Sequence, residues 1–174
     1  MDAISVLRFE ELAQQFSQRV RSVAPGATLH VEEESNDYCC ISWRLDDCAE
    51  RELFIEQPGS AIAPFMLRVG VYFQDAPSVT GEDGATAAAL ESLTRERGPL
   101  QALGAHCTFT EGSTTRDDEP FAWSDEDLVD WLHAASDHRD LVWLWDLRDG
   151  EPSAAQLDAV VVAMLPVWLG WNSL

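Results

Sequence analysis

The sequence predicts an α+β fold, with a mainly antiparallel sheet of five to six strands covered by helices. Two observations carry this. Four strand-like segments follow one another between residues 28 and 74 across short polar turns, and strands joined in that way pair antiparallel. Helix-like segments stand before this block, after it and at the end of the chain, giving the order α-β-β-β-β-α-β-α-β-α. A doubly wound parallel fold would need a crossover helix between the strands of that first block.

Phe9, Leu12, Phe16, Val20 and Val23 recur at helical spacing, with Glu10, Glu11, Gln14, Gln15, Gln18 and Arg19 between them. This is an amphipathic helix stopped by Pro25-Gly26. TLHVEE places Leu29 and Val31 on one face and His30 and Glu32 on the other. Ser35-Asn36-Asp37 turns the chain into YCCISWRL, where Cys39, Ile41, Trp43 and Leu45 point inward, so the two segments read as a hairpin. ELFIE continues the sheet. In the next strand Phe65, Leu67, Val69, Val71 and Phe73 oppose Met66, Arg68, Gly70 and Tyr72.

After Pro77 the pattern changes. An Ala-rich helix is expected from Glu82 to Arg97, closing at Gly98-Pro99, followed by the strand AHCTFTE. LVWLWDL is the last strand, with Trp143 and Trp145 sharing one face. Ser153 and Gln156 have capping-box spacing ahead of Leu157, Val160, Val161 and Met164. Pro166 is expected to end or kink that helix, leaving WLGWNSL as an apolar tail. The 174 residues are expected to form one domain, with the loop near 75–83 as the candidate hinge.

Charge is the strongest global signal. Thirty-one acids face eleven basic residues, all of them arginine, for a net charge of −20. Residues 1–116 carry −9 and residues 117–174 carry −11. Phosphates would be repelled, which argues against nucleic acid or an anionic membrane as partner and favours a basic protein. No apolar run reaches the length of a membrane span by this reading, and MDAISVLRFEEL lacks the pattern of a secretory signal. A cytoplasmic location is therefore expected. The absence of lysine, with abundant Ala, Asp, Arg and Gly, matches GC-rich coding and a bacterial source.

The sequence yields no catalytic constellation. There is no GxxxxGK[ST] and no GxGxxG after a strand. His133 and His138 are wrongly spaced for one helix face, and Asp125, Asp127 and Asp130 do not follow a calcium-loop pattern. No metal and no cofactor is expected. Cys39, Cys40, Cys48 and Cys107 form no CxxC, and adjacent Cys39 and Cys40 point to opposite faces of a strand. His30, Glu32 and Cys40 share the outer face of the first hairpin, the one arrangement open to nucleophilic chemistry. No glycine-rich oxyanion loop accompanies them, and a solvated hairpin face is the better explanation.

The stretch TTRDDEPFAWSDEDLVDWLH, residues 114–133, packs seven carboxylates between Asp117 and Asp130. Part of it has a local explanation. Ser124 is an N-cap, Asp127 completes a capping box, and Asp125 and Glu126 stand where the helix dipole favours anions. Asp117, Asp118 and Glu119 lie upstream and gain nothing from that dipole. With Phe121, Trp123, Glu126 and Asp130 they form the candidate partner-binding set, in which acids steer a basic partner and aromatics supply contact area. The expected function is non-catalytic: an acidic protein that neutralises a basic bacterial protein, most concretely an immunity protein occluding the cationic active site of a toxin. The alternative is a secretion-chaperone-like or adaptor protein that binds an effector segment and uses WLGWNSL as a dimer patch, so homo-oligomerisation stays open. An enzyme using the His30/Glu32/Cys40 face is the third reading.

Overall fold

A computed structural model describes residues 6–35, 38–46, 51–57, 66–74, 84–111, 114–116, 123–133, 138–150 and 152–173. The elements run α1 (Val6–Val23), β1 (Thr28–Ser35), β2 (Tyr38–Arg44), β3 (Arg51–Gln57), β4 (Met66–Gln74), α2 (Gly84–Ala102), β5 (His106–Glu111), β6 (Thr114–Arg116), α3 (Asp125–His133), β7 (His138–Asp146) and α4 (Ala154–Asn172). All strands join one antiparallel sheet in the order β1-β2-β3-β4-β7-β5-β6. The α+β class and the element order agree with the sequence reading. The seventh strand, three-residue β6, is an addition to the expected six. The candidate hinge at 75–83 falls outside the described residues.

Strand alternation builds the core. Leu29, Trp43, Leu53, Val71, Leu141 and Cys107 stand opposite one another across six strands. Val31, Ile41, Ile55, Val69 and Trp143 make a second row beside them. The helices are anchored to this face. Trp43 Nε1 donates to Ser17 Oγ of α1 at 3.2 Å. Trp168 Nε1 of α4 donates to the Arg51 carbonyl at 3.2 Å, and Arg51 returns a bond to the Trp171 carbonyl at 2.8 Å. The Trp171 ring lies 4.1 Å from Phe73 and 6.0 Å from Trp131 of α3. Gly170 lets α2 approach α4 closely, because a Cβ there would sit 3.1 Å from Ser92 Oγ.

Three local expectations are corrected. α2 does not close at Gly98-Pro99 but runs on to Ala102, where Gly104, with φ +73°, ends it. Gly104 N–H donates to the Gln101 carbonyl and Ala105 N–H to the Leu100 carbonyl, each at 3.0 Å, the paired bonds of a Schellman cap. α4 likewise passes through Pro166. Each proline deprives the carbonyl four residues earlier of its partner, and these belong to Arg95, with a 58% exposed side chain, and Val162, 45% exposed. Both residues face solvent. The C-terminal segment is therefore not a free apolar tail: Val167, Trp168 and Trp171 are buried. α4 is long and apolar enough to cross a membrane by length and composition, contrary to the sequence reading, but half of that stretch is buried here as the central core helix. At the margin of the core, Leu29 and Val31 share the core face yet remain exposed, because β1 is the edge of the sheet.

Candidate functional site

The acid-rich stretch enters α3 in the way its sequence dictates. Asp127 N–H donates to Ser124 Oγ at 3.1 Å, and Ser124 N–H donates to Asp127 Oδ2 at 3.1 Å, completing the reciprocal capping box. Leu128, Trp131 and Leu132 are buried, so the helix turns Asp125, Glu126 and Asp130 outward. Asp125 pairs with Arg97 of α2. That arginine, 28 residues away in sequence, answers one of the seven acidic charges of the stretch. Trp131 Nε1 donates to the Thr108 carbonyl at 3.3 Å, and its own carbonyl accepts from Arg139 Nε at 3.0 Å, fixing α3 to β5 and β7. Burial lowers the Arg139 pKa.

Of the seven candidate partner-binding residues, Glu126 and Asp130 are exposed on α3. Trp123 is not available to a partner. It is 5% exposed and belongs to the core cluster, and its φ of +54° turns the chain directly before the Ser124 cap. Asp117, Asp118, Glu119 and Phe121 lie outside the described residues.

The His30/Glu32/Cys40 set does share one face: Glu32 stands opposite Cys40, and His30 opposite Ser42. His30 Nε2 is 3.1 Å from Thr28 Oγ1, and Glu32 reaches Arg44 at 3.4 Å. Cys39 points to the opposite, buried side, and Cys107 is buried with its thiol pKa pushed well up by desolvation. Among the described residues no group of three or more His, Cys, Asp or Glu side chains is arranged to hold a metal ion.

This outer face also carries a charge array invisible to the sequence. Arg44 bridges Glu52 and Glu32, and Arg68 bridges Glu56 at 2.6 Å and Asp140 at 2.9 Å. The Arg68 guanidinium also lies over the Phe54 ring, 5.6 Å from its centre. Burial pulls Arg68 towards a lower pKa, but Glu56 and Asp140 more than offset it and hold the pKa above its ordinary value. Glu52 is raised, chiefly by desolvation, against the opposing pull of Arg44. Strand alternation put these side chains on the outer face in advance. Their pairing needs the registers of β2, β3, β4 and β7, which no local pattern encodes.

No protein-family model, no curated protein and no solved structure matches this chain.

Proposed function

We propose that the chain is a non-catalytic, cytoplasmic acidic protein that neutralises a basic bacterial protein, in its most concrete form an immunity protein that occludes the cationic active site of a toxin. The observation that carries this reading is the concentration of charge: −20 in 174 residues, with −11 in the last third. Glu126 and Asp130 stand outward on a helix whose other side is locked into the core. A fixed acidic surface of this kind steers a cationic partner into contact and loses that advantage in salt. Inhibition would be one-to-one occlusion.

The competing chaperone reading offered WLGWNSL as a dimer patch, and the burial of Trp168 and Trp171 speaks against that patch. The enzymatic reading is weakened by the engagement of Glu32 with Arg44 and of His30 with Thr28. The deciding experiment is affinity capture with the full chain from its source organism, followed by titration of the captured protein. A folded basic protein should bind. Its affinity should drop with added salt and when Asp117, Asp118 and Glu119 are changed to Asn, Asn and Gln. Recovery of a small metabolite alone would overturn the proposal.

A further inference from the structure

The two edges of the sheet are unequal. β6 closes one side with three residues, whereas β1 closes the other with eight. Short strands, lysine, proline, bulges and inward-pointing charge are the usual protections of an edge. From Thr28 to Glu32, β1 has none of them: its register with β2 is regular, and its irregularity lies beyond, between Glu32 and Ser35. In an antiparallel pair, every second residue of an edge strand directs its backbone N–H and C=O away from the sheet.

The side chains make this edge apolar on one face. Among the described residues, Val23, Leu29, Val31 and Val162 are the exposed large hydrophobics, and Leu29 and Val31 lie on this strand. Leu29 and Val31 are 37% and 54% exposed, while their cross-strand neighbours Trp43 and Ile41 are each 1% exposed. Both core rows thus run out to solvent at β1. Val23 closes α1 just before the turn that leads into the strand. The opposite face of β1 is polar, carrying Thr28, His30 and the 56% exposed Glu32. The strand contains no basic residue, and Glu33 and Glu34 follow Glu32 in the sequence.

We infer that β1 is a docking edge that accepts an extended segment of a partner protein as an eighth strand, and that this segment alternates apolar residues with arginine or lysine. Main-chain bonds to β1 supply the affinity, and alternate side chains supply the selection. The apolar residues of the segment cover Leu29 and Val31, and its basic residues lie on the face of Glu32. Charge selects this occupant over a second copy of the chain, since self-pairing would bring −20 against −20. The inference rests on the basic-partner reading and specifies how such a partner is held.

The test uses the full chain and short labelled peptides of alternating valine and arginine, alternating valine and glutamate, and alternating glycine and arginine. The Val/Arg peptide should bind, the Val/Glu peptide should not, and the Gly/Arg peptide should bind roughly tenfold more weakly or less. Hydrogen exchange on the unaltered chain should show new protection within 28–32 when the Val/Arg peptide is added. Leu29→Asp and Val31→Asp should each weaken that peptide by roughly tenfold. Equal binding of the Val/Arg and Gly/Arg peptides without protection at 28–32 would overturn the docking edge while leaving the basic-partner reading intact. Sedimentation revealing a dimer that Val31→Asp dissolves would replace the partner segment with a second copy. Failure of every peptide alongside tight binding of a captured basic protein would likewise reject the edge alone.

Discussion

Arg97, late in α2, pairs with Asp125 in the first turn of α3, 28 residues further along the chain. One carboxylate of the acid-rich stretch is thus tied to the helical layer, and Asp127 is occupied by the Ser124 cap. The two ties differ in worth. The Asp125 side chain is 71% exposed, so solvent screens its ion pair to below about 1 kcal/mol. Loss of an N-cap hydroxyl costs about 1 kcal/mol and is less sensitive to salt. Urea midpoints should therefore rank Ser124→Ala as more destabilising than Asp125→Asn. Only the Asp125→Asn effect should shrink in high salt. The reverse order would mean that these acids are not held by capping.

Trp123 gives a sharper test, because its burial contradicts a role at the surface. Truncating a buried tryptophan costs about 3–5 kcal/mol, whereas an exposed contact residue changes stability by about 0.5 kcal/mol or less. Trp123→Ala should fall in the first class and broaden or abolish cooperative unfolding. Retention of the parent urea midpoint would return Trp123 to the list of partner contacts.

Gly70 lies in the centre of β4, between Phe54 and Val142 on the outer face. A Cβ at this position would stand 2.3 Å from the Leu141 carbonyl oxygen and 2.8 Å from Val142 Cγ1. Backbone cannot move aside as a flexible side chain can, so Gly70→Ala should separate β4 from β7. The expected readout is lost hydrogen-exchange protection at 138–146, with a destabilisation of about 3 kcal/mol or more. Gly170→Ala makes a milder comparison, since its nearest neighbour is the Ser92 hydroxyl at 3.1 Å. Equal effects of the two changes would contradict the rigidity assigned to the β4–β7 pair.

The same contrast explains what the sequence disclosed. Period-two alternation in β2, β3 and β4 and the Ser153 capping box depend on residues a few positions apart, and both are legible locally. The capping box at Ser124 is equally plain. The sequence closes α2 too early because Pro99 reads as a stop, and at Pro166 it allows an end or a kink where α4 runs on to Asn172. Whether a helix tolerates proline depends on which turn faces solvent, and that is set by tertiary packing. Trp123 was misassigned for a related reason: acids on both sides suggested exposure, and a φ of +54° in a tryptophan has no sequence signature. The Arg44 and Arg68 arrays, like the bare edge at β1, depend on strand order and register and were out of reach.

Glu52 offers a test of the Arg44 array through pH. Burial raises its pKa above the ordinary 4.5, with Glu32 adding to the rise and Arg44 and Ser42 opposing it. The folded chain thus holds this proton more tightly than the unfolded chain does. Its contribution is complete below 4.5, is lost as pH rises through the raised folded value, and is constant above that. Asp146 acts in the opposite sense at lower pH. The bonds from Arg148 depress it from 3.8 to about 2, so its contribution is present above 3.8 and lost as pH falls towards about 2. The two windows do not overlap. Above pH 4.5, Glu52→Gln should flatten the decline of stability with rising pH relative to the parent chain, and below 3.8 the two proteins should run parallel. Urea midpoints across both windows provide the measurement. Carboxylates that do not interact with Glu52 contribute equally to parent and variant, so the difference reports Glu52 together with its coupled neighbour Glu32. An unchanged slope above pH 4.5 would show that water reaches Glu52 and that the array is not closed.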